Sequence, residues 1–221
     1  PTGYSVLPDF FWCWDELTCQ RILKYQPSGN SCHRPILGGN LWLANWIIGE
    51  GYPLNKQHKT FLSRLSSFDR VILFSVSDPE NEPLPRVLID AIDKSPKRWL
   101  WLIRLHPQMK NQRREIELTL KKYVDHKVNI GEATEISLFP LLRYTNYHLT
   151  SSSSVGFEAL MFKIPTVILH PLGKIMYEPL INTGTFIYIP DDANRLIKTI
   201  KEQTDMKPTD VTIEVEPTIA L

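Results

Sequence analysis

Two short, almost unbroken apolar runs constrain this chain most: Val71–Val76 (VILFSV) and Thr166–Leu169 (TVIL). A strand with one face in water alternates apolar and polar residues, whereas a strand apolar throughout needs cover on both faces, as in a parallel sheet. The rest of the chain from residue 70 onward fits that demand. Leu84–Asp93 has helical spacing, with Leu84, Val87, Leu88 and Ile92 on one side, and Trp99–Leu105 reads as a strand. Gln112–Tyr123 is a charged amphipathic helix, Val128–Ile130 a short strand, and Ile136–Tyr144 a helix with a bend expected near Pro140. Tyr147–Leu149 is a strand leading through a hydroxyl block into another helix. Ile175–Asn182 reads as a short helix closed by Gly184, Phe186–Ile189 as a last strand, and Ala193–Gln203 as a helix capped by Asp191 or Asp192.

Strands alternating with helices of about 10–15 residues imply βαβ units. The expected fold class is α/β: a Rossmann-like parallel sheet of six strands with helices on both faces. This domain is expected to span 67–204. Residues 1–66 differ, holding four of the six tryptophans and many turn residues. There Phe10–Trp14, Glu16–Tyr25 and Arg34–Leu37 form one βαβ unit, too small to bury its faces alone. It reads as the end of a second, acceptor-side domain, followed by a connector through Leu41–Ser66. Residues 205–221 read as a tail in which Val211–Val215 alternates like a lone edge strand. The chain opens on Pro1 rather than Met, so a fragment of a longer protein is expected.

Composition excludes several classes. A formal net charge of +1 with dispersed basic residues argues against a nucleic-acid partner. No run of 18 apolar residues is present, so no spanning helix is expected, and no secretory leader is visible. Three cysteines, Cys13, Cys19 and Cys32, do not make an even disulfide framework, and the Cys13–Cys19 spacing does not suit a chelating loop. Reduced thiols, no metal site and a cytoplasmic setting are expected. P-loop, GxSxG and HExxH motifs are absent.

The candidate chemistry lies at two strand ends. After Tyr147–Leu149 come Thr150, Ser151, Ser152, Ser153 and Ser154, then a helix start. One hydroxyl suffices for a helix cap, and this block exceeds that need. Unpaired N–H groups at the helix start and small hydroxyls together suit a phosphate. Glu158 follows four residues later. It complements the helix dipole, and at a sheet's carboxyl edge it suits the two hydroxyls of a ribose. The second strand end is Arg104-Leu105-His106-Pro107. Pro107 holds the His106 backbone extended and fixes the ring's direction. As imidazolium His106 can neutralise or protonate a departing phosphate. Arg104 points to the same strand face and suits an ion pair as well as a ligand. Glu132, in a Gly131–Thr134 turn, is a weaker candidate for contact with a base. His170-Pro171 repeats the dipeptide and suits a turn.

These residues carry a resemblance. RLHP at Arg104–Pro107, TSSSS at Thr150–Ser154 and FEAL at Phe157–Leu160 resemble the donor-binding domain of the GT-B glycosyltransferases. The closest likeness is to the bacterial surface-polysaccharide group with His-Pro and Ser-Ser motifs, which includes CMP-sialic acid and CMP-Kdo transferases and CDP-glycerol polymerases. PDFFWCWDE and PILGGNLWL are similar to the end of such an enzyme's N-terminal domain. The resemblance implies a cytoplasmic glycosyltransferase of capsule or lipopolysaccharide synthesis. It implies a nucleotide-sugar donor, a CMP-linked one above all, and a glycan or glycolipid acceptor. It further implies no metal or other cofactor, with peripheral membrane contact through the absent part. His106 is then the catalytic residue. Arg104, Pro107, Thr150, Ser151, Ser152, Ser153, Ser154, Glu158 and Glu132 bind substrate, while the general base lies in the other domain. A nucleotide-sugar epimerase or glycerophosphotransferase of this architecture is an alternative reading, and a non-catalytic nucleotide-binding or scaffold domain is another.

Overall fold

A computed structural model describes residues 8–24, 34–39, 54–77, 82–123 and 127–202. These fall into two compact units. The sequence-based readings at Cys32, most of the connector and the 205–221 tail lie outside the described residues.

In the first unit, β1 (Phe10–Cys13) and β2 (Arg34–Leu37) pair in parallel, with α1 (Glu16–Lys24) between them in sequence. This is the βαβ unit that the pattern predicts. Asp15 caps α1 by accepting from the Thr18 N–H at 2.6 Å and from the Thr18 hydroxyl at 2.7 Å. Cys13 and Cys19 are buried free thiols.

The second unit opens with α2 (Lys56–Leu65), in a stretch that sequence reasoning assigned to the connector. The helix forms because Asn55 caps it, accepting from the His58 N–H at 2.7 Å, and because Leu62 and Leu65 are buried. Its first turn is polar and charged, so its helical period is faint in the sequence.

Six strands follow: β3 (Arg70–Ser75), β4 (Trp99–Arg104), β5 (Val128–Asn129), β6 (Tyr147–Thr150), β7 (Thr166–Ile168) and β8 (Phe186–Tyr188). All pair in parallel, in the order β5-β4-β3-β6-β7-β8, and helices flank the sheet. The chain therefore builds outward from β3 through β4 to β5, then returns to place β6 on the other side of β3. The direction of winding reverses between β3 and β6. In open α/β sheets ligands bind outside the carboxyl ends of strands at such a reversal.

The double cover expected of VILFSV is present: Val71–Val76 are all 2% exposed or less. On one face Ile72, Phe74, Trp101, Ile103, Leu149 and Val167 join Val87, Leu88, Ala91 and Ile92 of α3 (Arg86–Lys94). Leu196, Ile197 and Ile200 of α10 (Ala193–Glu202) complete that core. Each of the valine, leucine, isoleucine and phenylalanine side chains contributes about 1.5–3 kcal/mol by leaving water. Asp192 starts α10, accepting from the Arg195 N–H at 2.8 Å.

Three helix readings differ in detail. The charged helix after β4 begins as a 3-10 turn, Pro107–Gln112, and continues as α4 (Arg113–Thr119). Gly131 opens a helix of its own, α5 (Gly131–Glu135), because Asn129 accepts from the Ala133 N–H at 3.0 Å. The chain breaks at Ile136 and Ser137, before α6 (Leu138–Leu142), so Pro140 sits within a first turn where its missing N–H costs nothing. The helix after β7 is split into α8 (Pro171–Met176) and α9 (Glu178–Asn182). Among the described residues no helix is long and apolar enough to cross a membrane.

Candidate functional site

The sheet register brings the two sequence motifs to one edge. Ser75, the last residue of β3, is the partner of Arg104 on one side and of Thr150 on the other. At about 4.8 Å per strand, Arg104 and Thr150 stand roughly 10 Å apart with Ser75 between them. Everything after these three residues projects from the carboxyl edge.

The hydroxyl block forms a folded loop leading into α7 (Val155–Met161). Thr150 Oγ1 donates to the Ser75 carbonyl at 2.9 Å and accepts from the Ser153 N–H at 2.9 Å. The Ser152 N–H and hydroxyl both donate to Ser77 Oγ, at 2.9 and 3.2 Å. Ser77 Oγ, accepting twice, keeps its own proton for an outside acceptor. The Ser153 carbonyl accepts from Tyr177 Oη and from the Gly156 N–H. Ser154 is exposed and its side chain makes no cap bond. With only seven residues in α7, the anion-binding capacity resides in the loop hydroxyls rather than in a long helix dipole.

Two atoms here are buried without any partner: Ser151 Oγ and Glu158 Oε2. Among the described residues only one other side-chain atom, Gln112 Oε1, shares that state. A buried polar atom without a hydrogen bond costs about 1–3 kcal/mol, so native chains rarely keep one that nothing satisfies. Burial raises the Glu158 pKa above the usual carboxylate value, partly opposed by a backbone hydrogen bond. A pair of hydroxyl donors would supply what Oε2 lacks.

Beneath the loop lies a residue that sequence reasoning missed. His148, in β6, is fully buried, with Nε2 3.1 Å from Ser75 Oγ and Nδ1 3.4 Å from Thr166 Oγ1. Thr166 Oγ1 donates to the Ile164 carbonyl, so it accepts from His148, and Nε2 in turn accepts from Ser75. Burial pushes the imidazole pKa down to about 3, so the ring is neutral. The signal was the lone polar residue in an apolar strand, but its partners lie 18 and 73 positions away.

On the other side of β3, the half-buried Arg104 guanidinium donates through Nη1 to the carbonyls of Ala133 and Ile136 at 2.7 and 2.6 Å. It also reaches Thr134 O at 3.5 Å, and desolvation lowers its pKa. A cation thus closes the C-terminal end of α5. The Leu105 N–H donates to Thr134 Oγ1, a second tie between strand end and helix. Glu132 is half-buried and accepts from Asn129 Nδ2 at 2.7 Å. His106 is exposed at the edge; its Nδ1 accepts from the Gln108 N–H at 3.3 Å, which leaves Nε2 as the donor of the neutral ring. Pro107 starts the 3-10 turn that carries this contact. His170 is the N-cap of α8, accepting from the Leu172 N–H at 3.1 Å, as its turn reading expects.

No family model and no curated protein matches the chain. Solved structures do. UDP-GlcNAc 2-epimerase of Methanocaldococcus jannaschii, in complex with UDP-GlcNAc and UDP, is 19% identical over 87% of this chain, with a TM-score of 0.57. MnaA of S. aureus, with UDP, is 16% identical over 89%, at 0.59. The wall teichoic acid polymerase TagF is 14% identical over 87%, at 0.56. The chain spans about half the length of these proteins, 53%, 51% and 48% respectively. At such identities the likeness establishes the fold: a parallel α/β sheet of the kind that makes up half of a GT-B protein.

Proposed function

We propose that this chain carries the donor half of a metal-independent enzyme that uses a nucleotide-activated sugar or polyol, and that the reaction is group transfer to a surface glycan. The observation that carries this reading is the pair of orphaned buried atoms, Ser151 Oγ and Glu158 Oε2, at a carboxyl edge where the sheet reverses. The donor's phosphate sits on the loop Thr150–Ser154 with the Ser77 hydroxyl, and Glu158 accepts from the ribose hydroxyls. The Nε2–H of His106 faces the departing phosphate and stabilises the charge that develops there. Arg104 holds α5, so Glu132 and the neighbouring backbone meet the base. The acceptor hydroxyl is deprotonated by a group outside the described residues.

The sequence resemblance favours a cytidine nucleotide, whereas UDP is bound in two of the similar structures. A thermal-shift and calorimetric panel of CMP, CDP, UDP and GDP on the whole chain tests the reading. One nucleotide is expected to raise the melting temperature, since a ligand binding only the native state stabilises it. Ser152→Ala with Ser153→Ala should weaken that binding about tenfold or more while leaving the fold intact. No binding by any nucleotide would reduce the serine block to a structural turn.

A further inference from the structure

A cleft of about 280 Å³ opens on the same carboxyl edge, between the start of α3 and the ends of β7 and β8. Its apolar wall is made by Pro85, Val87, Leu169 and Pro190. Ligand pockets run from roughly 300 to 1,000 Å³, so this one suits a single compact group rather than a whole nucleotide-sugar. It adjoins the serine loop through α8. His170 and Pro171 line the cleft, while Gly173 presses on the Ser151 carbonyl so closely that a Cβ there would lie 2.0 Å from its oxygen.

The polar rim has a definite character. Arg86, the rim's only arginine or lysine, meets Asp90 through Nε at 2.9 Å, so the lining sets one positive charge against the three carboxylates of Asp90, Glu82 and Asp191. Glu82 and Asp191 also line the cleft, and neither has a hydrogen bond or ion pair among the described residues. His170 accepts at Nδ1, so its proton is on Nε2. The cleft therefore offers two uncompensated carboxylates, one imidazole and small apolar rings. Hydroxyl and ammonium groups satisfy such a rim, whereas a carboxylate meets a lining in which carboxylates outnumber the single cation.

We infer that this cleft holds the group the nucleotide carries, and that this group is a neutral or amino-bearing polyol with no carboxylate. The inference rests on the function proposed above for the attached nucleotide, while the ligand class follows from the cleft alone. It separates this chain from users of acidic sugars such as sialic acid and Kdo, and leaves neutral groups such as glycerol or an N-acetylhexosamine.

Methyl and imidazole NMR of the whole chain tests it. N-acetylglucosamine and glucosamine at millimolar concentration are expected to shift the Val87 and Leu169 methyls and the His170 ring signals. Glucuronate should bind about fivefold more weakly or worse. Glu82→Gln with Asp191→Asn should remove that discrimination. Absence of shifts at Val87 and Leu169 with both permitted sugars overturns the inference. So does glucuronate binding equal to theirs, or discrimination that survives the double substitution. In the same samples, nucleotide-induced shifts of the Ser152 and Ser153 amides report on the phosphate site separately, so failure of one reading is distinguishable from failure of the other.

Discussion

Ser152 and Ser77, 75 positions apart in the chain, are joined twice, through the amide and the hydroxyl of Ser152 to one oxygen of Ser77. The bond bridges the carboxyl ends of β6 and β3, the two strands between which the sheet reverses. It ties the hydroxyl loop to the end of β3.

Ser77→Ala removes that bridge without touching the core. Nucleotide affinity should fall about fivefold to tenfold, in line with about 1–1.5 kcal/mol per hydrogen bond, and the melting temperature should barely move. Isothermal titration beside a thermal melt measures both. Unchanged affinity would place the phosphate elsewhere.

Glu158→Gln should separate binding from stability. Its carboxyl pKa is raised in the folded chain, so the protonated form is favoured there. The associated stability is fully present below the ordinary value of 4.5 and is lost as pH rises through the folded pKa. The amide lacks this dependence. Urea denaturation at neutral pH should therefore find the variant at least as stable as the parent, with the difference closing below pH 4.5. Nucleotide affinity should drop about tenfold, since the amide has one acceptor where the carboxylate has two.

His148 gives the opposite slope. Its folded pKa, about 3, lies below the ordinary 6.5, so the unfolded chain takes up the proton first. Stability is full above pH 6.5 and is lost progressively as pH falls towards 3. His148→Leu should flatten this acid limb. It should also lower stability at neutral pH by about 1–3 kcal/mol, because Ser75 and Thr166 lose their partner. An acid limb identical in both proteins would mean that the ring is not the group that titrates.

Arg104→Lys tests the clamp on α5. A single nitrogen, Nη1, meets both carbonyls at 2.7 and 2.6 Å, and the lysine stem, one atom shorter and ending in a strongly hydrated ammonium, does not set a nitrogen at that point. A loss of about 1.5–3 kcal/mol is expected in urea denaturation. Amide exchange should quicken across Gly131–Glu135 and not in α10. Uniform quickening would contradict a local role.

The strands and the two carboxyl-edge motifs were legible because their cause is local: apolar runs, turn residues and helical spacing write themselves in consecutive positions. The α10 cap, narrowed to Asp191 or Asp192, and His170 as a turn residue were legible for the same reason. Ser77 and His148 were not, because each acquires its role from a residue more than seventy positions away, through a sheet order that no short window contains. Arg104 was half legible: its position on the edge could be read, but its carbonyl partners exist only once α5 has formed. The helix α2 was hidden by a polar first turn that only the cap of Asn55 makes helical.

The contact of Gly173 with the Ser151 carbonyl is backbone against backbone, with Ile168 Cγ2 also 2.7 Å from where a Cβ would stand. No rotamer can relieve the clash with the Ser151 oxygen, because that atom is backbone. A saturation library at this codon should therefore return glycine and little else, even under selection for folding alone. A neighbouring position such as Ile175, 74% exposed, should accept almost any residue. The seam between hydroxyl loop and cleft is thus a point of mutational rigidity, and variation in what the cleft accepts has to come from its rim.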